Sequence, residues 1–359
     1  MAAPALVDLR SDTVTRPTHA MWEAMRAAEL GDDVLGDEPT VALLEARIAR
    51  ELGKEAAVFV PSGTMANQLA IRAVCGAGDE IVAHADSHII HYEVGAPAAL
   101  AGAMVRTVGG EGGVFDEEAL AAAVRPANIH HPVSRMVVVE NTQNRGGGTV
   151  WPLEGFARVA RRGRAAGLHV HVDGARLFNA CVAAGYAARD FAAHADSVSV
   201  CFSKGLGCPV GSALVADAAT IARARRFRKM FGGGMRQSGL LAAAALHALD
   251  HHVARLAQDH EHARRLARGI AAIPGLTLQF QAERTPTNMV FFFVDPSLGT
   301  GHELCAALER QGVRMIAMDP QRARAVTHLD VDAAGIDRAL AALSEAVAAR
   351  VRSCAKAPG

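Results

Sequence analysis

The sequence predicts an α/β protein: a mostly parallel β-sheet with helices on both faces, followed by a smaller α+β domain. Three observations carry this prediction. Short apolar runs alternate with helical patterns through most of the chain, as expected for strands buried on both faces and joined by helices. Half of the 359 residues are hydrophobic and 21% are charged, a composition that supports an extended core. Beyond Gly275 the alternation gives way to a different mix of short strands and helices.

The elements follow in order. Val41, Leu44, Ile48 and Leu52 recur at three and four residues, which marks an amphipathic helix after Pro39. Ala56–Val60 reads as a buried strand that ends at Pro61, and Thr64–Val74 is helical again. Six more strands are expected at Glu80–Ala83, Met104–Val108, Arg135–Glu140, Leu168–Asp173, Ser197–Phe202 and Gly211–Val215. A long alanine- and leucine-rich helix over Ser238–Ile270 comes next, and Gly275 turns the chain. The remainder predicts strands at Thr277–Phe280, Asn288–Val294, Val313–Met318 and Arg324–Leu329, with helices at Gly301–Gln311 and Ala333–Val351. The boundary falls near residue 250: an N-terminal segment and large domain over 1–250, and a small domain over 251–359.

Thirty-seven basic residues balance thirty-seven acidic ones, and the pI is about 7.3. Nothing in that balance favours nucleic acid or an anionic membrane. The six cysteines (75, 181, 201, 208, 305 and 354) show no CxxC spacing, which argues against zinc ribbons and thioredoxin-like motifs. Scattered cysteines suit a reducing cytoplasm. Met1–Arg10 has no basic stretch followed by an apolar run, so no signal peptide is expected. Charges interrupt the apolar stretches well short of a membrane span.

Four short segments can carry chemistry. Phe202-Ser203-Lys204-Gly205-Leu206-Gly207 places a lysine in a glycine-rich turn after a strand. Most lysines are solvated, but one at a strand end can be desolvated and attack a carbonyl as the neutral amine. In His169-Val170-His171-Val172-Asp173, alternation puts both histidines and the aspartate on one strand face, with Asp173 at the carboxyl end, where open α/β sheets bind ligands. Pro61-Ser62-Gly63-Thr64-Met65-Ala66-Asn67 joins a strand to a helix. The helix amides can bind an anion, Gly63 allows close approach, and Thr64 can cap the helix, although an ordinary N-cap reads the same way. Arg228–Gln237 flanks three glycines with cations, either for an anion or as a basic surface loop.

His-x-His-x-Asp on one face also fits metal ligands of a hydrolase. No second histidine pair with ligand spacing supports that reading, and no metal is expected. An anion cup, then an aspartate, then a lysine is the order of a pyridoxal phosphate enzyme. The lysine holds the aldehyde, the aspartate keeps the ring nitrogen protonated, and a helix N-terminus holds the phosphate.

The sequence resembles the low-specificity L-threonine aldolases, fold type I pyridoxal phosphate enzymes, almost end to end. The resemblance rests on DLRSDTVTRPT (8–18), GDDVLGDEPT (31–40), GKEAAVFVPSGTMANQ (53–68), HVDGARLFNA (171–180), SKGLGCPVGS (203–212), RKMFGGGMRQ (228–237), TNMVFF (287–292) and VTHLD (326–330). It implies an aspartate aminotransferase-like fold with a seven-stranded sheet. It implies reversible cleavage of L-threonine, L-allo-threonine and other β-hydroxy-α-amino acids to glycine and an aldehyde, by a carbon–carbon lyase of class EC 4.1.2.-. The roles it implies are Lys204 as the Schiff-base lysine, Asp173 at the ring nitrogen and Arg176 at the phenolate oxygen. Gly63, Thr64, Met65 and Ser203 would also contact the cofactor, and Arg236 would reach a phosphate from a neighbouring subunit. His88 would stack on the ring, and His88, His130 or a water would take the hydroxyl proton. Ser11 and Arg324 would hold the substrate carboxylate, with His88, His130 and Arg176 lining the substrate; spacing to Thr327 favours Arg324 over Arg322.

The resemblance also implies a cytoplasmic homodimer or homotetramer with sites at the subunit interface, acting in threonine catabolism and glycine biosynthesis. Two positions depart from the family pattern: Leu35 stands where tyrosine is common and Gln143 where histidine is frequent, which bears on substrate preference. An aminotransferase or a β-eliminating lyase would share the fold. A cofactor-binding regulator would need a DNA-binding domain, for which the sequence offers no segment. On this reading borohydride bleaches the yellow purified protein and peptide mapping finds the pyridoxyl group on Lys204; a label on another lysine would contradict the assignment.

Overall fold

The computed structural model describes residues 6–354; residues 1–5 and 355–359 and the side chains of Ser353 and Cys354 lie outside the described residues. The chain divides into two compact units, one spanning 17–253 and the other combining 6–16 with 254–354. The N-terminal stretch, expected with the large domain, therefore groups with the C-terminal part of the chain. Strand β1 (Val7–Asp8) pairs in parallel with residues 313 and 314. Leu9 donates to the Arg314 carbonyl at 2.8 Å and accepts from the Val326 amide at 2.8 Å. Val7 and Leu9 are apolar and alternate, so both enter the core of this unit beside Phe292, Leu304 and Ile336.

In the large unit the strands are β2 (Ala56–Val60), β3 (Asp79–His84), β4 (Met104–Val108), β5 (Val133–Glu140), β6 (His169–Gly174), β7 (Ser197–Cys201) and β8 (Ser212–Ala216). They form one sheet in the order β2-β8-β7-β6-β5-β3-β4. Only β8 runs antiparallel to its neighbours. Residues 136–139, Val198 and Val200 are fully buried, the mark of strands covered on both faces. Since β2, β5, β6 and β7 point the same way, their carboxyl ends open on one edge. The segments after them begin at Pro61, Asn141, Ala175 and Phe202.

Local signals position the helices. Pro39 opens Pro39–Leu52, and Gly53, at φ 63°, closes it in the left-handed region that favours glycine. The helix Gly63–Val74 is capped by Ser62, not Thr64: Ser62 is extended and its Oγ accepts from the Met65 amide at 3.2 Å. Thr64 lies inside the helix, where a side chain can no longer reach the orphan amides. The long helix expected over Ser238–Ile270 is two helices, Gly239–His251 and Leu256–Ala271. The break at His252 coincides with the end of the large unit, and its Nδ1 pairs with the Leu206 carbonyl at 2.7 Å.

In the smaller unit β9 (Leu276–Leu278), β10 (Met289–Val294), β11 (Val313–Arg314), β12 (Ile316–Ala317) and β13 (Arg322–Val326) complete the strands. Four of them make an antiparallel sheet in the order β12-β13-β10-β9. The single strand expected over Val313–Met318 is split, because β11 pairs with β1 while β12 pairs with β13, and buried Met315 makes the change between them. The strand expected to reach Leu329 stops at Val326, where Thr327 Oγ1 turns to the Asp259 carbonyl at 2.6 Å. Among the described residues no helix is long and apolar enough to cross a membrane.

Candidate active site

Asp173 is the last residue but one of β6, level with Glu140 of β5 and Ser199 of β7. Its side chain is almost fully buried. Oδ2 accepts from Asn67 Nδ2 at 2.8 Å, and Oδ1 accepts from the Ala175 amide at 3.1 Å. Asn67 reaches it from the helix Gly63–Val74 and uses all four of its hydrogen-bonding positions. Its Nδ2 donates to Asp173 and to Glu93 Oε1, both at 2.8 Å. Its Oδ1 accepts from Ser199 Oγ at 2.7 Å and from His171 Nε2 at 3.2 Å. Behind it Ser197 Oγ joins His171 Nδ1 and His169 Nε2, each at 2.8 Å.

Burial keeps this rear part uncharged: it pushes His171 down to about 3 and lowers His169 as well. The front is ionic. Burial alone would raise the Asp173 carboxyl, but the charges of His88 and Lys204, with the Asn67 bond, hold it below the usual carboxylate range.

Both ring nitrogens of His171 are thus committed to Ser197 and Asn67, and His169, His171 and Asp173 do not converge as a metal set. Among the described residues the group close enough to hold an ion is a different one, His88, Glu93 and Asp173, with donor atoms within 4.8 Å of one another. There His88 Nδ1 and Asn67 Nδ2 already bond the two carboxylates.

His88 opens a short helix after β3, and its backbone amide donates to Glu140 Oε2 at 2.7 Å. Its Nδ1 pairs with Glu93 Oε1 at 2.8 Å. Burial disfavours charge on the ring, but the Glu93 bond and the charges of Asp173 and Glu93 outweigh burial and the opposing charge of Lys204, so its pKa is raised. Glu140 is buried beside Asp173, and burial followed by that like charge pushes it up to about 7.

Lys204 sits half-buried in the turn after β7. Gly207 donates to the Lys204 carbonyl at 2.8 Å, and Cys208 to that of Phe202 at 3.1 Å. Ser203 is half-buried in the same turn. Lys204, Arg176, Asn179 and Ala175 line one small cavity, and Arg176 is buried. At Gly63 a Cβ would lie 2.6 Å from Cys201 Sγ, so only glycine leaves the helix start in place. The Met65 amide is taken by Ser62, while its sulfur packs against the Gly233 backbone.

Other expected residues lie elsewhere. His130 is exposed in a turn before the amino end of β5, whereas Asp173 is level with its carboxyl end. An eight-residue strand puts them on the order of 20 Å apart in one chain, so within a single chain His130 is not brought together with Asp173. Arg236 is exposed and pairs with Asp32 at 2.9 Å. Arg228 of the same basic cluster is internal, ion-paired with Asp33 at 2.9 Å and donating to the Phe59 carbonyl at 2.8 Å. The smaller unit brings Arg324 to the Arg10 carbonyl at 3.0 Å, next to Ser11, whose Oγ accepts from the Thr13 amide. Arg322 is engaged by Asp319 at 3.1 Å. Leu35 is exposed, but Gln143 is fully buried and bridges the Asp86 carbonyl and the Gly146 amide. Gln143 therefore supports a loop.

Asn67, Glu93 and Glu140 were not singled out in the sequence. A carboxylate ending the apolar run at Glu140 was a visible signal, and Asn67 lay inside the quoted anion motif; Glu93 had none.

Residues 8–296 match the beta-eliminating lyase family. The chain is 41% identical over 346 residues to low-specificity L-threonine aldolase 1 of Arabidopsis thaliana, covering 95% of this chain and 96% of that protein. It is 42% identical over 329 residues to the low specificity L-threonine aldolase of Escherichia coli K12, covering 91% and 95%. The chain belongs to the low-specificity L-threonine aldolase family. A solved threonine aldolase from Leishmania major superimposes with a TM-score of 0.80 at 20% identity, covering 95% of this chain and 99% of that one. The fold of this aldolase-family chain is the fold type I architecture.

The buried histidines give a pH signature. A histidine whose folded pKa lies below its unfolded value supports stability fully above about pH 6.5, and that support is lost as pH falls toward 3. His171→Gln removes the proton acceptor while keeping a polar side chain. Its urea midpoint should fall less than the parent's between about pH 7 and pH 5; equal losses would contradict the assignment.

Proposed function

We propose that the protein is a pyridoxal phosphate-dependent carbon–carbon lyase that cleaves β-hydroxy-α-amino acids, L-threonine and L-allo-threonine among them, reversibly to glycine and an aldehyde. The observation that carries this reading is the buried anionic Asp173 within the electrostatic reach of Lys204 and His88, in a chain of this family. The residues fit the cofactor. Asp173 is an anionic partner for a protonated ring nitrogen, and Gly63 leaves a helix start without a side chain beside the strand edge. Since the Met65 amide is engaged, Gly63 and Thr64 would hold the phosphate, with Ser203 of the lysine turn, and Arg236 would reach it from a second copy. Lys204 would hold the aldehyde carbon and Arg176 the phenolate oxygen. When bound, the cofactor would supply a sink for the electron pair released as Cα–Cβ breaks.

The protein's own groups do the rest. Arg324 and Ser11 would grip the substrate carboxylate, which limits rotation about the N–Cα bond and fixes the direction of Cα–Cβ. His88, held at its backbone by Glu140, takes the hydroxyl proton, because imidazole is matched to neutral pH. His130 is too far from Asp173 in its own chain, so it would act only across a subunit interface, in a homodimer or homotetramer with shared sites. A cytoplasmic place in threonine catabolism and glycine formation accords with this chemistry.

Incubation with L-threonine, L-allo-threonine, L-serine and phenylserine tests the reading by product analysis. Equal amounts of glycine and aldehyde are expected from the β-hydroxy substrates. Oxo acid would point instead to an aminotransferase, and ammonia to a β-eliminating lyase.

A further inference from the structure

We infer that Glu93 is a positioning residue that holds the proton of His88 on Nδ1 and leaves Nε2 to accept the substrate's hydroxyl proton, while Asn67 ties this pair to Asp173. The inference rests on the aldolase reading and adds to it the atom that moves the proton and the residues that select it.

The Glu93 side chain has no exposed surface. Its Oε1 faces His88 Nδ1 and Asn67 Nδ2, both at 2.8 Å, and its Oε2 faces Gln68 Nε2 at 2.6 Å. The Asn67 amide can point only one way. Swapping its ends would set an oxygen against the two carboxylates of Glu93 and Asp173, and the nitrogen against Ser199 Oγ and His171. Asn67 therefore donates to Glu93. Gln68 does too, since the opposite orientation would bring two oxygens to 2.6 Å. A carboxylate already accepting on both oxygens offers His88 an acceptor, so Nδ1 carries the hydrogen and the neutral ring keeps its lone pair on Nε2.

One Asn67 amide nitrogen bonds both Glu93 and Asp173, so the group that orients the base and the proposed partner of the cofactor ring share an anchor. The same anchor is fixed from behind by His171 and Ser199. Glu93, Asp173 and Lys204 act on His88 by charge, Glu140 interacts with it by charge and also holds its backbone amide, and the Tyr92 ring lies 5.3 Å away.

Glu93→Gln, in cofactor-loaded enzyme, tests this with two readouts. In wild type, nitrogen NMR of labelled histidine should show neutral His88 protonated at Nδ1. In the variant the His88 midpoint should drop, because burial remains and the neighbouring charge is gone. The acid limb of kcat/KM for L-threonine should move down by the same interval, and the plateau should fall by about 10²–10⁴-fold, the worth of a general base. A loaded variant with an unmoved His88 midpoint and acid limb would overturn the inference, whatever its overall activity. A wild-type ring protonated at Nε2 would overturn it even if the variant failed to fold. Wild-type enzyme that makes no glycine and aldehyde would defeat the aldolase reading instead, and the NMR tautomer would still be measured.

Discussion

Asp173 is a carboxylate with 2% of its surface exposed, kept ionised inside a sheet edge. Burial of such a group is costly unless every neighbour answers it. The neighbours come from four separate pieces of chain. Parallel pairing of β5, β6 and β7 sets Glu140 and Ser199 on either side at the same level. The helix after β2 returns Asn67, the turn after β7 brings Lys204, and the segment after β3 brings His88 and Glu93. Loss of registry in any of them would leave a buried polar group without its partner.

The network divides its work along its length. At the rear, His169, Ser197 and His171 form a neutral chain that orients Asn67. At the front, the same amide separates two carboxylates that would otherwise repel. Glu140 sits at the margin: raised to about 7 by burial and by Asp173, it still accepts from the backbone of His88 and from Asn144. One anion is thus strongly supported, and the next is left poised near neutrality, an arrangement common where protons are moved.

The strands were legible because continuous apolar runs such as 136–139 can only be covered on both faces. Asp173 and Lys204 were legible from their places at strand ends. The contacts that organise them were not. Asn67 meets Glu93 and Asp173 across 26 and 106 positions of sequence, a separation that no local spacing reports. Where two reasonable local readings competed, the geometry decided. Ser62 rather than Thr64 has the extended backbone of a cap. A single apolar run at 313–318 hid a change of partner strand at Met315. The grouping of residues 6–16 with the C-terminal unit rests on a two-residue ladder, the Leu9 backbone bonds and the burial of Val7 and Leu9, contacts across about 300 positions that no local spacing reports. His130 was named only through the family resemblance, and its place before the amino end of β5 is set by the strand, not by any local spacing.

The claim on which the rest depends is that the negative charge of Asp173, and not merely its shape, powers the site. Asp173→Asn keeps the shape and removes the charge. Turnover of L-threonine by the folded, cofactor-loaded variant should fall by ~10²–10³-fold, the cost of deleting one preorganised electrostatic partner. A loaded variant that turns over at close to the wild-type rate would contradict the account.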